Sequence, residues 1–292
     1  MSGTVLACGL ATVDVVQVVE AVPGPDEKVV ALAADVTAGG PACNAALTAA
    51  ALGVPTRFVG AVGSGPLSAV VLRELASGGV AVTDLAPPAF EPPLSTVLVT
   101  QATGERAVVS RNAVGVTDLG APSDSALDAL LDGVAAVLVD GHHLPVAVAV
   151  ARAARRRGVP VLLDGGSWKP GLEELLAETD LAVLSSAFTV PGDPGSAGAL
   201  QAVLTAGPSW AAVSDGAGPV RWRWAGGLHG EVPVPVVDVV DTLGAGDVLH
   251  GALLAELGRG GADDLPAALA RAVEVASRSV AHPGALGWAR QR

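Results

Sequence analysis

Strand-length apolar runs alternate with longer alanine-rich stretches along most of the chain. Residues 5–10, 56–62, 135–140, 159–164, 181–184 and 210–213 are rich in Val, Leu and Ala and lack a regular in/out polar alternation. A strand apolar on both sides is buried on both faces, which is the signature of a parallel sheet. Between these runs, residues 44–52, 67–77, 145–157, 171–178, 197–204, 247–257 and 265–281 carry helical spacing. Gly78-Gly79 closes the second of these helices, and Arg155 to Arg157 sit in the last turn of the third. The alternation predicts an α/β chain whose mostly parallel central sheet is covered by helices on both faces. In such folds ligands sit beyond the carboxyl ends of the strands.

Two stretches break the rhythm. Residues 13–36 and 95–111 alternate β-type residues with Pro and charged interruptions and show little helical periodicity. They predict antiparallel strands standing off the main sheet. Trp222 and Trp224 also alternate as in a strand and, with Trp210, are expected to serve packing.

The richest chemistry lies near the C-terminal end, where an apolar run closes on Asp241-Thr242-Leu243-Gly244-Ala245-Gly246-Asp247 and a small-residue helix follows. A helix start exposes unpaired backbone N–H groups and the positive end of the macrodipole. Gly244, Ala245 and Gly246 let that backbone approach a phosphate, so the turn is a candidate anion hole. Asp247 at its mouth is placed to take a proton from an incoming hydroxyl, and Asp241 to help hold a metal–nucleotide. Those are the parts that phosphoryl transfer to an alcohol requires. An Asp N-cap on a glycine-rich turn is the simpler alternative, and two acids flanking Gly-Ala-Gly argue against it.

This segment resembles the second signature of the ribokinase-like (PfkB) sugar kinases, Asp-Thr-x-Gly-Ala-Gly-Asp. Their first signature, a Gly-Gly pair, an Asn and a small-residue helix, is matched by Gly39-Gly40-Pro41-Ala42-Cys43-Asn44 running on to Leu52-Gly53. The two motifs stand in the family's order, about 200 residues apart in a chain of suitable length. The resemblance implies a single domain over residues 1–292, a three-layer α/β/α sandwich whose small β-strand lid is formed by residues 13–36 and 95–111. It implies ATP and Mg²⁺ as cofactors, with room for a monovalent cation, and a homodimer formed through the lid as one option. Asp14, after the first strand, is then expected to bind sugar hydroxyls together with Gly39, Gly40 and Asn44, and Arg111 to reach the substrate from the lid. On the nucleotide side the resemblance implies Asp241 and Thr242, the turn carrying Ser214, Gly216 and Gly218, and the loop at Gly284. Lys169 is expected to steady the transferring phosphate.

Composition narrows the partners. The chain has 292 residues and a formal net charge of −12, which argues against nucleic acid or an anionic membrane as a partner. No basic leader precedes an apolar core at the N-terminus and no run is long enough to span a bilayer, so a cytoplasmic enzyme is expected. Cys8 and Cys43 make neither a disulfide framework nor a zinc site. The only asparagines are Asn44 and Asn112 and the only lysines Lys28 and Lys169, which marks each for attention.

Departures from the family pattern qualify the picture. Gly65 and Ser68 replace an expected Asp and Gly, and Leu184-Ser185-Ser186-Ala187-Phe188 lacks the Asn-x-x-Glu associated with Mg²⁺, which leaves the metal ligands unassigned. The segment from Asp164 through Lys169-Pro170 to Glu173-Glu174-Leu175 is similar to the ketohexokinase and sulfosugar-kinase branches. The leading expectation is ATP-dependent phosphorylation of a ketose or sugar derivative. A nucleoside kinase of the same fold, or a catalytically weak ligand-sensing homologue, are the rivals. A dinucleotide-binding dehydrogenase lacks its Gly-x-Gly-x-x-Gly after the first strand. His142 and His143, adjacent and diverging, make a poor metal pair.

Overall fold

The computed structural model describes residues 3–111, 119–192 and 196–289, so Asn112 lies outside the described residues. The chain opens with β1 (Thr4–Cys8), then β2 (Thr12–Val19), β3 (Ala33–Gly39), α1 (Pro41–Ala51) and β4 (Thr56–Gly60). Next come α2 (Ser68–Ser77), β5 (Ala81–Asp84), β6 (Leu94–Thr100), β7 (Arg106–Ser110) and α3 (Asp124–Leu131). The middle of the chain holds β8 (Val134–Val139), α4 (Leu144–Arg156), β9 (Val161–Gly165), α5 (Leu172–Leu176) and β10 (Leu181–Ser185). It closes with α6 (Ser196–Ala206), β11 (Trp210–Asp215), β12 (Gly218–Trp224), β13 (His229–Val232), α7 (Ala245–Gly258) and α8 (Leu265–Ser279).

The main sheet has nine strands in the order β13–β12–β11–β10–β9–β8–β1–β4–β5. Every pairing from β11 to β5 is parallel, and β12 and β13 add an antiparallel ribbon at one edge. Alternate residues of one strand feed two separate cores. Val5 and Ala7 of β1 pack with α1, α2, α7 and α8, while Leu6 and Cys8 pack with α3, α4, α5 and α6. Strands so covered must be apolar throughout, which is why the continuous runs were legible in the sequence. β5 and α3 were not. β5 is a short, largely exposed edge strand, and α3 is a single short helix whose start is set by Ser123 Oγ accepting from Ala126 N.

The lid is a second sheet of four strands, β3–β2–β6–β7. The expectation of purely antiparallel strands is corrected here. β2–β3 and β6–β7 are antiparallel hairpin-like pairs, but β2 and β6 run parallel. The chain leaves the lid after β3, builds α1 to β5 in the main body and returns, so the central lid pairing joins distant segments. On α2, Glu74 accepts from Thr37 Oγ1 and Ala38 N, tying the lid to the body.

Candidate active site

Two helix starts meet at the carboxyl ends of β1, β8 and β9. α1 begins at Gly40, whose φ of 95° and lack of a side chain are both required, since a Cβ would lie 2.5 Å from Leu10 O. α7 begins at Gly244 with φ 73°. The two helices approach closely because Gly251 of α7 faces Ala45 O and Thr48 of α1 with no room for a Cβ. That contact brings Asn44, one turn into α1, against Asp247 in the first turn of α7, and Asn44 Nδ2 donates to Asp247 Oδ2 at 2.7 Å. The two sequence motifs therefore form one site.

Asp140, at the end of β8, organises the strand ends. Its Oδ2 accepts from Leu10 N and Ala42 N and its Oδ1 from His142 N. One buried carboxylate so fixes the loop after β1, the start of α1 and the loop after β8. His143 is the N-cap of α4 in a left-handed conformation, φ 52°, and burial pushes both histidines below their ordinary pKa. Lys169 Nζ approaches Asp140 O at 3.5 Å and Ser167 O at 3.4 Å, at the same strand ends.

Asp247 is partly open as a residue, yet protein closely surrounds its carboxyl. Burial first and the Asp164 carboxylate second raise its pKa to about 7, against the lowering effects of the Asn44 hydrogen bond and His250. A carboxyl that exchanges its proton near neutrality suits a general base. Just before it, Ala245 N donates to Thr242 O, whereas the amides of Gly246 and Asp247 are first-turn groups without an intrahelical partner. The Gly246 Cα faces open space, with nothing within 4 Å of an added Cβ. The turn thus presents a bare backbone surface beside the Asp247 carboxyl.

Between lid and body lies a cleft of about 580 Å³. Asp14, Thr37, Asn44 and Gln101 are among its polar lining, and Asp241 and Gly284 lie on its wall. Burial raises the Asp14 pKa, partly offset by hydrogen bonds from Thr12 and Ser95, and Thr12 Oγ1 donates to its Oδ1 at 2.8 Å. Gly39 and Gly40 support this wall from behind. A side chain at Gly39 would run into the Asp14 carboxylate.

Not every expected residue faces the cleft. Arg111 is exposed beyond the end of β7 and does not line it. Arg106 is instead the lid cation that reaches the motif, with Nη1 donating to Thr242 Oγ1 at 2.9 Å. Ser214, Gly216 and Gly218 form the β11–β12 hairpin turn on the same sheet edge, outside the cleft lining, with Ser214 Oγ donating to Leu184 O. Asp241 is anchored by backbone amides. Its Oδ1 accepts from Leu243 N and its Oδ2 from Gly284 N, both at 2.8 Å. It clamps the Pro283–Gly284 loop to the motif, and each of its oxygens keeps a second acceptor site.

The sequence places Asp140 and Asp164 at the ligand edge of the parallel sheet without giving either a role, and His250 was missed as part of the site. Acids at the ends of apolar parallel strands are the available signal for the first two, and a histidine within an otherwise apolar helix for the third. Among the described residues no group of three or more His, Cys, Asp or Glu side chains could hold a metal ion.

Residues 3–289 match the sequence model of the pfkB family carbohydrate kinase. The chain is 27% identical over 291 residues to the ribokinase of Bacillus subtilis (strain 168), covering 96% of this chain and 93% of that protein. The fold is similar to Arabidopsis thaliana ribokinase complexed with ribose and ATP, with a TM-score of 0.80 at 23% identity, covering 99% of this chain and 96% of that one. It is also similar to a fructokinase with bound ATP from Xylella fastidiosa, with a TM-score of 0.73 at 22% identity, covering 98% and 94%.

Proposed function

The chain belongs to the pfkB family of carbohydrate kinases, and on that premise we propose that it transfers the γ-phosphoryl group of ATP to a hydroxyl of a ketose or related sugar derivative, with Asp247 as general base. The observation that carries this reading is the Asp247 carboxyl in the first turn of α7, held by Asn44 Nδ2 beside the open backbone at Gly246, where burial raises its pKa. In this step the acceptor hydroxyl gives its proton to Asp247 while its oxygen attacks the γ-phosphorus. The new O–P bond forms as the bond to the bridging oxygen breaks, and ADP leaves with that electron pair. The Gly244-Ala245-Gly246 turn supplies the positive helix end where negative charge gathers, with the Gly246 and Asp247 amides, rather than that of Ala245, left to donate.

Asp14 and Asn44 are suited to the sugar, since a carboxylate accepts from hydroxyls and an amide both donates and accepts. Thr242 and the loop at Gly284 lie on the nucleotide side of this reading, with Asp241 as the clamp between them. Among the described residues the cleft lining contains no aromatic ring, which favours a carbohydrate over a nucleoside base that would be held by stacking. The solved relatives were crystallised with ribose and ATP in one case and ATP in the other, and that ligand pair suits this site. The lid exposes Val30, Leu32, Val36, Val108 and Val109, which supports a homodimer joined through lids; a monomeric wild type in sedimentation equilibrium removes that part.

The test is ADP formation across ketoses, aldoses, acidic sugar derivatives and nucleosides. A ketose or acidic sugar derivative, phosphorylated on a primary hydroxyl, is expected to give the highest kcat/KM. A nucleoside in first place overturns the substrate class, and no turnover with any acceptor overturns the kinase reading.

A further inference from the structure

His250 sits one turn beyond Asp247 on α7 and is 5% exposed. Its Nδ1 lies 2.7 Å from Gly246 O and its Nε2 lies 3.0 Å from Val183 O on β10. Asp164 Oδ2, at the end of β9, is 3.3 Å from the same Nδ1, and no aligned hydrogen bond reaches that oxygen among the described residues. A backbone carbonyl can only accept. A neutral imidazole has one N–H and one bare lone pair, so it satisfies one of these carbonyls and sets lone pair against lone pair at the other. An imidazolium satisfies both and also neutralises the buried Asp164.

We infer that His250 carries a proton on both ring nitrogens and is a positioning residue for phosphoryl transfer, pinning the Gly246 carbonyl to β10 and holding a positive charge between Asp164 and Asp247. The inference rests on reading Asp247 as the base. Gly246 is the last residue of the Gly-Ala-Gly turn, so fixing its carbonyl fixes the direction of the neighbouring amides and of the Asp247 Cα–Cβ bond. The side chain does this from beneath the turn, without touching the cleft.

The charges around the ring come from several elements. Asp164 faces it from β9, and behind Asp164 stand Asp140 of the β8 loop, His142 and Lys169. Asp247 is on its own helix, and Asp14 of the lid acts on Asp247 in turn. α1 contributes the uncharged Asn44 and Thr48 and the thiol of Cys43, which burial keeps protonated. α8 buries Ala268, Leu269 and Ala272 and turns Arg271, Glu274 and Arg278 outward. Removing the His250 charge leaves Asp164 and Asp247 as like charges with less compensation, so Asp247 should keep its proton to higher pH.

Two measurements test this. Ring ¹⁵N resonances of the free wild-type enzyme at neutral pH should show one buried histidine with both nitrogens protonated, assigned by its loss in His250→Gln. One protonated and one bare nitrogen overturns the inference, whatever the role of Asp247. The second is the pH profile of kcat/KM for His250→Gln, whose amide can still donate to one carbonyl. The acidic limb should move up by about half a pH unit or more. A uniform loss of activity with an unmoved limb would mean the histidine only packs, and the inference falls. If His250→Gln does not fold, the wild-type ring resonances, assigned instead by correlation to the His250 backbone, decide.

Discussion

Asn44 Nδ2 donates to Asp247 Oδ2 at 2.7 Å across 203 residues of sequence. The bond makes the first motif a regulator of the second. A donor aimed at a carboxylate favours its ionised form, so Asn44 opposes the burial and the Asp164 charge that hold the proton on Asp247. The contact exists because α1 and α7 are small-residue helices that touch at Gly251, and bulkier helices would hold the two groups apart.

Asp247→Asn is expected to lower kcat by about 10²–10⁴-fold, the usual worth of a positioned base. It should also stabilise the protein at alkaline pH. The folded-state pKa of Asp247 is raised from 3.8 to about 7, so between these values the native state binds more protons than the unfolded state and stability falls as pH rises. The amide carries no such burden. Melting temperatures should therefore separate more at about pH 8 than at about pH 4; equal differences at both would remove the buried charge from the account.

Asn44→Ala removes the donor without adding charge. The acidic limb of kcat/KM should move upward from about 7, because the opposing influences on Asp247 remain. Sugar KM should rise as well if Asn44 also faces the substrate. An unmoved limb would separate Asn44 from the base.

Much of this was legible in the chain, and the exceptions have physical causes. β1, β8 and β9 announced themselves because strands buried on both faces must be apolar throughout. The Asp241 to Asp247 turn stood out because glycines and acids together are costly unless used. The parallel pairing of β2 with β6 was not legible, since a period of two carries no strand direction. Neither was the Asn44–Asp247 bond, which depends on how α1 and α7 pack. Arg111 drew attention as a lid cation, yet it points past the end of β7 while Arg106 reaches Thr242. His250 lies inside an apolar helical run, which by itself says nothing of the carbonyls and carboxylate that meet it.

Glycine substitutions separate the cradle from the cap. Gly246 is inside the first turn of α7 with free space over its Cα. Gly246→Ala should raise the melting temperature slightly, since alanine is better in a helix by about 0.5–1 kcal/mol, while lowering kcat by crowding the phosphate. Gly244→Ala should do the opposite to stability. Its φ is 73° and an added Cβ would lie 2.5 Å from Ala285 Cβ. Thermal melts and steady-state kinetics on both check this; full activity in Gly246→Ala would leave the turn as a helix cap alone.

Asp14 faces the cleft with one oxygen held by Thr12 Oγ1. Asp14→Ala should reduce kcat/KM by roughly 10–150-fold, the equivalent of about 1.5–3 kcal/mol for a hydrogen bond to a charged group. Most of the loss should appear in KM for the sugar and little in KM for ATP. A loss confined to the ATP term would move Asp14 out of the acceptor site.

Arg106 and Thr242 join the lid to the motif turn through a single hydrogen bond of 2.9 Å at the surface. Such a bond contributes little to global stability, because water competes for both partners. Its consequence is local: with Arg106 bound to Thr242, the start of β7 is tied to the motif turn. Arg106→Ala and Thr242→Val should each raise sugar KM several-fold, with melting temperature nearly unchanged. If they act through this bond, the double variant should be no worse than the poorer single one, since the second change removes nothing further. Additive losses in kcat/KM would show that the two residues serve the reaction separately, and the lid would then be tied to the body by other contacts, such as those of Glu74 with Thr37 and Ala38.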